Sequence, residues 1–222
     1  MTRRGALDPE VVVRAALEVL DREGFDGLTV RRIAQRLGVQ NPALYWHFRD
    51  KQEIVDRMAE HLLRSALVPA SPPGAWDRWL LRAARAFRAA MLSHREGARV
   101  MASADLSQGP MPSYLDQALE LLISAGFRDR DALVGLLAVF DYTLGSTFEE
   151  QADPVRSAPG KAKKPPRSRA ASIGARLNPQ GVFDGAVQLI IRGLASKQRP
   201  PAPLAARASP RPRPGASTSR RR

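Results

Sequence analysis

Apolar residues in this chain recur mostly three and four places apart, the spacing that gathers one face of an α-helix. Val12, Val13, Ala16, Leu17 and Leu20 form the first such face. Asp8-Pro9 precedes it as an N-cap followed by proline at the first helical position, where the missing N–H costs nothing. Leu7 and Val12 flank that cap as a hydrophobic staple, and Gly24 is placed to end the helix in a left-handed conformation. Thr29 caps a short second helix carrying Ile33, Ala34 and Leu37, which Gly38 stops. Asn41-Pro42 repeats the cap-and-proline start for a third short helix over 43–48, with Trp46 and Phe48 read as core. A fourth begins near Asp50 and carries Ile54, Val55, Met58, Leu62 and Leu63 on one side.

Residues 69–74 break the pattern. Trp76, Trp79, Leu80, Ala83, Phe87, Ala90 and Met91 then mark a long helix, and Leu115, Ala118, Leu119, Leu122 and Ile123 another, closed by Gly126. Residues 132–148 are apolar almost all round, which predicts a central helix; 182–194 form a last apolar helix. Residues 153–176 are rich in Pro, Ser and Lys with little to bury and read as a mobile loop, and 199–222 as a disordered Pro/Ala/Arg tail. No alternating strand pattern and no internal repeat stands out. The predicted fold is all-α: a three-helix helix-turn-helix head over residues 7–67, a helical effector-binding and dimerisation domain over 68–198, and the tail.

Charge changes this picture less than its size suggests. The net charge of +13 invites a nucleic-acid reading. Yet seven basic residues and no acid lie between Val155 and Arg176, and eight basic residues and no acid lie from Lys197 to Arg222. Those fifteen leave the rest of the chain at −2, so the excess sits outside the predicted core. With no cysteine, a disulfide framework and a cysteine-type zinc site are ruled out. His47, His61 and His94 are not grouped as a metal site, and His61 and His94 read as structural or surface residues. No nucleophile–base pair, metal cluster or phosphate loop supports an enzyme. No signal-peptide core follows the N-terminus, and the longest apolar run, 132–140, is far short of the ~20 residues of a membrane helix. A cytoplasmic protein with no membrane partner and no cofactor is expected.

The chemistry lies at the head. Two short helices joined by Gly38-Val39-Gln40 have the helix-turn-helix layout, in which the second helix lies in the major groove and its N-terminal residues reach base edges. Asn41 can pair with adenine through two hydrogen bonds, Pro42 and Ala43 can meet a thymine methyl, and Arg31 can reach a guanine. Tyr45, His47 and Lys51 suit phosphate. By spacing alone the motif also occurs in proteins that touch no DNA.

The run Leu28-Thr29-Val30-Arg31-Arg32-Ile33-Ala34-Gln35-Arg36-Leu37-Gly38-Val39, followed by Pro42-Ala43-Leu44-Tyr45-Trp46-His47-Phe48 and Lys51, resembles the DNA-binding head of the tetracycline-repressor (TetR) family. The run from Phe87 to Val100, Tyr142-Thr143-Leu144-Gly145 with Glu149 to Gln151, and Leu189 to Leu194 resemble the family's effector domain. The resemblance covers most of residues 7–198 apart from the basic loop. It implies a transcriptional regulator, most often a repressor, acting as a homodimer on a palindromic duplex, with Arg31, Asn41, Pro42, Ala43, Tyr45, His47 and Lys51 as the DNA-contact positions. Dimerisation is expected from the helices over 132–148 and 182–194, pairing across a two-fold axis as a four-helix bundle.

Departures from the family's tetracycline-binding members sharpen the expectation. Those members carry glutamine where Asn41 stands and threonine where Ala43 stands, so the operator need not be theirs. At positions where they hold a magnesium–drug complex through histidines and polar groups, this chain has Leu67, Ala83, Met101 and Ala104, while Phe87 and Glu149 remain. Methionine and leucine supply no ligand to a hard cation. The expected effector is therefore a small hydrophobic molecule with one polar handle for Glu149, not magnesium-tetracycline. The fourth helix, from Lys51 to Leu67, is the expected lever between head and pocket.

Overall fold

Three of the expected N-caps, Asp8, Thr29 and Asp50, start helices. The structure, a computed structural model, describes residues 7–69, 75–152, 168–174 and 176–199. Helix α1 spans Pro9–Gly27, α2 Val30–Leu37, α3 Asn41–Tyr45, α4 Lys51–Ala66, α5 Trp76–Leu92, α6 Gly97–Ser103, α7 Met111–Ser124, α8 Asp129–Ala152, α9 Arg169–Gly174 and α10 Pro179–Ala195. Among the described residues there is no strand, and no helix is long and apolar enough to cross a membrane. Asp8 accepts from the Glu10 amide (2.9 Å), Thr29 from Arg32 (3.3 Å) and Asp50 from Glu53 (2.9 Å), each satisfying an orphan donor of a first turn. Gly24 interrupts α1 with φ 75°. Gly38 ends α2 at φ 68°, and a Cβ there would meet nothing within 4 Å. Glycine is therefore required at that turn for its backbone freedom alone.

Two apolar cores are built on these elements. One gathers α1 to α4 with Phe87, Ala90, Met91, Ala98, Val100 and Met101 of α5 and α6, so the head's core continues into the body. The other joins α5, α7, α8 and α10 around Trp76, Trp79, Leu122, Phe127, Ala132 and Val187. Helix α8 packs against α5, α6, α7 and α10 and is central, as its composition predicts. It is not buried all round: Leu133, Val134, Leu137 and Phe148 are exposed, as are Val182 and Leu189 of α10. Within the segment read from sequence as a mobile loop, Arg169–Gly174 is helical; residues 153–167 and the tail beyond Arg199 lie outside the described residues.

Polar contacts weld the head to the body at the turn between α5 and α6. Asp21 of α1 accepts from the Arg95 amide (2.9 Å) and lies 2.9 Å from Nδ1 of His94. Glu96 accepts from the Phe25 amide (2.7 Å), and Arg99 donates to Asp26 (2.7 Å) while covering the Phe25 ring. The Arg99 bond holds the Asp26 carboxyl below its usual range. Gln151 of α8 donates to the carbonyls of Met91 and His94 and accepts from the Ala98 amide. Gly97 is buried here and must be glycine, because a Cβ would run into the Met91 carbonyl oxygen.

Candidate DNA-reading surface and effector cavity

Helix α3 has five residues, too few to be stable alone, so its position depends on packing. Leu44 and Phe48, four apart, are both buried in the head's core and fix it from one side. Its start differs from the sequence expectation. Gln40, not Asn41, is the N-cap and makes no side-chain cap bond; Asn41 is the first helical residue, with Pro42 behind it. Not being used as a cap, the Asn41 amide is left for another partner. Trp46 also departs from its reading as core: it is 86% exposed, beside Tyr45 at 57%. The pair Leu44 and Phe48 carries the signal that sequence reasoning missed, since an apolar i, i+4 pair already fills the inward face and leaves Trp46 outside.

Of the seven predicted DNA-contact residues, Arg31 lies in the first turn of α2, Asn41, Pro42, Ala43 and Tyr45 on α3, His47 in the turn after it and Lys51 at the start of α4. Arg31, Asn41, Pro42 and Tyr45 are exposed, and Ala43, His47 and Lys51 are half-buried. Among the described residues, the side chains of Arg31, Asn41, Tyr45 and His47 have no hydrogen bond or ion pair. The contrast within α2 is informative: Arg32 pairs with Glu23 and Arg36 with Glu18, both on α1, so these two arginines brace the head while Arg31 is left uncommitted. Lys51 lies 5.0 Å from the centre of the Phe25 ring, which orients its ammonium without neutralising it.

An apolar cavity of about 80 Å³ opens between α4, α5, α7 and α8. Leu67, Ala83 and Phe87 of the predicted ligand set line it together; Phe87 stacks on Phe140, centroids 4.9 Å apart. Met101 and Ala104 do not line it, belonging to the core between α4 and α6, and Glu149 is exposed on α8. Sequence reasoning missed Trp79 and Tyr114, which line the cavity from α5 and α7; Trp79 sits on an ordinary apolar stripe and nothing in the pattern set it apart. The wall's polar atoms are all engaged by backbone. The Trp79 indole donates to the carbonyls of Val68 (3.3 Å) and Pro69 (3.1 Å), the Tyr114 hydroxyl accepts from the Val68 amide (3.4 Å), and Thr143 donates to Val139. Burial pushes the Tyr114 hydroxyl above its ordinary pKa, partly offset by the Val68 bond. No carboxylate or imidazole lines the cavity, and among the described residues no cluster of three or more His, Asp or Glu could hold a metal ion.

Comparison with known proteins agrees with this architecture. Residues 12–58 match the pattern of bacterial regulatory proteins of the tetR family, and residues 68–197 match the tetracyclin repressor-like C-terminal domain. The tetracycline repressor protein class A from transposon 1721 of Escherichia coli is 38% identical over 200 residues, spanning 86% of this chain and 92% of that protein. The solved structure of TetR(class A) with 5a,6-anhydrotetracycline and magnesium superposes with TM-score 0.67 at 33% identity, covering 86% of this chain and 100% of the other. The structure of BioQ with its double-stranded DNA operator gives TM-score 0.66 at 31% identity, covering 86% and 99%. With head and body both matched, the chain belongs to the tetR family of bacterial regulatory proteins and is a helix-turn-helix transcriptional regulator.

Proposed function

We propose that the protein is a homodimeric repressor that holds a palindromic operator through α3 and lets it go when a small apolar molecule enters the body. The observation that carries this reading is the uncommitted set Arg31 on α2, Asn41 and Tyr45 on α3 and His47 just after it, in a head whose Arg32 and Arg36 are tied down. A short helix makes too few contacts alone, and two heads must sit about 34–36 Å apart to meet successive grooves. The exposed apolar residues of α8 and α10 supply a face for that pairing, since such helices bury one side in their own core and the other against a copy. In this reading Arg31, Asn41, Pro42 and Ala43 meet bases, and Tyr45, His47 and Lys51 meet phosphate. The protein acts by binding, not by catalysis.

The effector is proposed to sit against Leu67, Ala83 and Phe87. It differs from the magnesium complex held by the class A repressor structure, because the cavity wall has no carboxylate or imidazole: its polar atoms are the Trp79 indole and the Thr143 hydroxyl, both donating to backbone carbonyls, and the Tyr114 hydroxyl, which accepts from the Val68 amide. Met101 and Ala104 then act as packing behind α6, and Glu149 stands on the outward side of α8, where a partner subunit would meet it.

Selection of binding sites from a random duplex pool at physiological salt tests the reading. The expected product is a palindromic consensus bound by two protomers, weakened by Asn41→Ala. A monomer with no sequence preference would overturn it.

A further inference from the structure

The C-terminal end of α4 is held by the cavity's own wall. Helix α4 ends at Ala66, with Leu67 as its C-cap, and the next two residues carry the groups that Trp79 and Tyr114 grip. The two rings lean on each other, centroids 6.2 Å apart and planes inclined by 43°. Both line the cavity that a ligand would enter. That space, about 80 Å³, is roughly half of the ~150 Å³ that accepts a benzene ring in a designed protein cavity. A ring-sized molecule therefore cannot enter without moving part of the wall. Leu80, Ala84 and Leu136 are buried in the second core and are backed by it. Trp79 is buried in the same core and Tyr114 packs against it, but their polar ends, unlike those aliphatic side chains, are tied by hydrogen bonds of 3.1 to 3.4 Å to the single segment that follows α4, so a shift of either ring is transmitted to that segment. The Tyr114 hydroxyl also has its proton unassigned among the described residues: it accepts from Val68 and donates to nothing.

We propose that Trp79 and Tyr114 form a clasp that reads the cavity's occupancy: the ligand is a neutral ring compound with one hydrogen-bond acceptor, which takes the Tyr114 proton, and its ring displaces the Trp79 indole from Val68 and Pro69, freeing the end of α4. This rests on the reading of the protein as an effector-released repressor. Charged ligands are disfavoured because the wall has no counter-charge, and burying an unpaired ion is costly. Hard-cation complexes are disfavoured for want of a carboxylate or imidazole. Through α4, which also carries Lys51 and the Asp50 cap beside the reading helix, the loosened end communicates with the head.

A matched pair of probes, 1-indanone and indane, separates the ring from its acceptor. In magnesium-free buffer, quenching of tryptophan fluorescence is expected to saturate with both, with the ketone about fivefold tighter, the worth of one hydrogen bond. Tyr114→Phe, which keeps the ring, is expected to erase that preference. Trp79→Phe, which lacks the indole bonds that the ligand has to displace, is expected to bind 1-indanone more tightly than the parent, read by competition calorimetry, and to lose most of the ketone's weakening of binding to the selected operator. Thermal melts of both variants check that they fold. Equal binding of the two probes, no binding of either, or operator release unchanged in Trp79→Phe would each overturn the proposal. The binding arm needs no operator, so it is read even if the duplex selection fails and the repressor reading falls on its own.

Discussion

At the scale of single residues, the chain separates arginines that hold the head together from the one proposed to read DNA. Arg32 and Arg36 are spent on Glu23 and Glu18, so Arg32→Ala is expected to lower the melting temperature slightly and leave the DNA consensus unchanged. Arg31→Ala and Asn41→Ala leave the fold intact and are expected each to cost about 1–3 kcal/mol of operator binding and to relax preference at one base position, measured by anisotropy titration against a panel of substituted duplexes. Lys51→Ala is expected to weaken all duplexes alike and to flatten the slope of log affinity against log salt by about one. The exposure of Arg31 and Asn41 was legible from sequence because the spacing of the two short helices fixes which positions look outward. The Asn41 cap was misread because Asn before Pro has two good uses, cap and first-turn residue, and only the backbone decides between them. Trp46 was misread because a large aromatic is most often inside, whereas here Leu44 and Phe48 already fill the space.

At the scale of elements, α3 exists because its neighbours hold it. Gly38 sets its angle to α2 with φ 68° and no steric neighbour. Gly38→Ala is therefore expected to cost about 1–2 kcal/mol of stability through backbone strain alone, and Gly38→Asn to recover part of it, because asparagine tolerates the left-handed region. Chemical denaturation measures both. Further along, α5 and α10 are joined by Arg85, which donates twice to Asp184 at 2.8 Å. That bond lowers the Asp184 carboxyl below its ordinary value, against a smaller cost of burial. A folded pKa below the unfolded one means the contribution is fully present above the ordinary carboxylate range near 4 and is lost as pH falls through the lowered value. Unfolding free energy is expected to fall on acidification below about pH 4, and Asp184→Asn to remove that part of the slope. Helix boundaries were largely readable, since Asp8, Thr29, Asp50, Gly38 and Gly126 punctuate the chain by known local chemistry, whereas Gly24, expected to end the first helix, only kinks it and α1 runs on to Gly27. The joint at α5–α6 was not: Glu96 at φ 52° and the bonds from Asp21 and Gln151 connect residues more than fifty places apart, which no local pattern records.

At the scale of the whole molecule, the exposed apolar residues of α8 and α10 are the surface proposed to pair two copies. Leu189 is 67% exposed and Val134 57%, and a charge at either opposes burial against a copy. Val134→Glu with Leu189→Glu is expected to give a folded monomer by sedimentation velocity, with operator affinity lowered by orders of magnitude because two heads no longer share one duplex. The all-α plan was evident from periodicity. The cavity was evident only in outline, because its walls come from four helices whose packing partners a one-dimensional pattern does not name. Helix α8 also sets a length for the molecule. Its 24 residues run roughly 36 Å, from Gly126, whose carbonyl accepts from the Arg199 amide at 3.2 Å, to Gln151, buttressing the turn that grips α1. The polypeptide thus leaves its last described residue at the end of α8 remote from the reading head. A fluorescent protein or surface tether attached after Arg199 would stand a full helix length from the operator, so single-molecule labels belong there and not just ahead of Pro9, where α1 starts within the head.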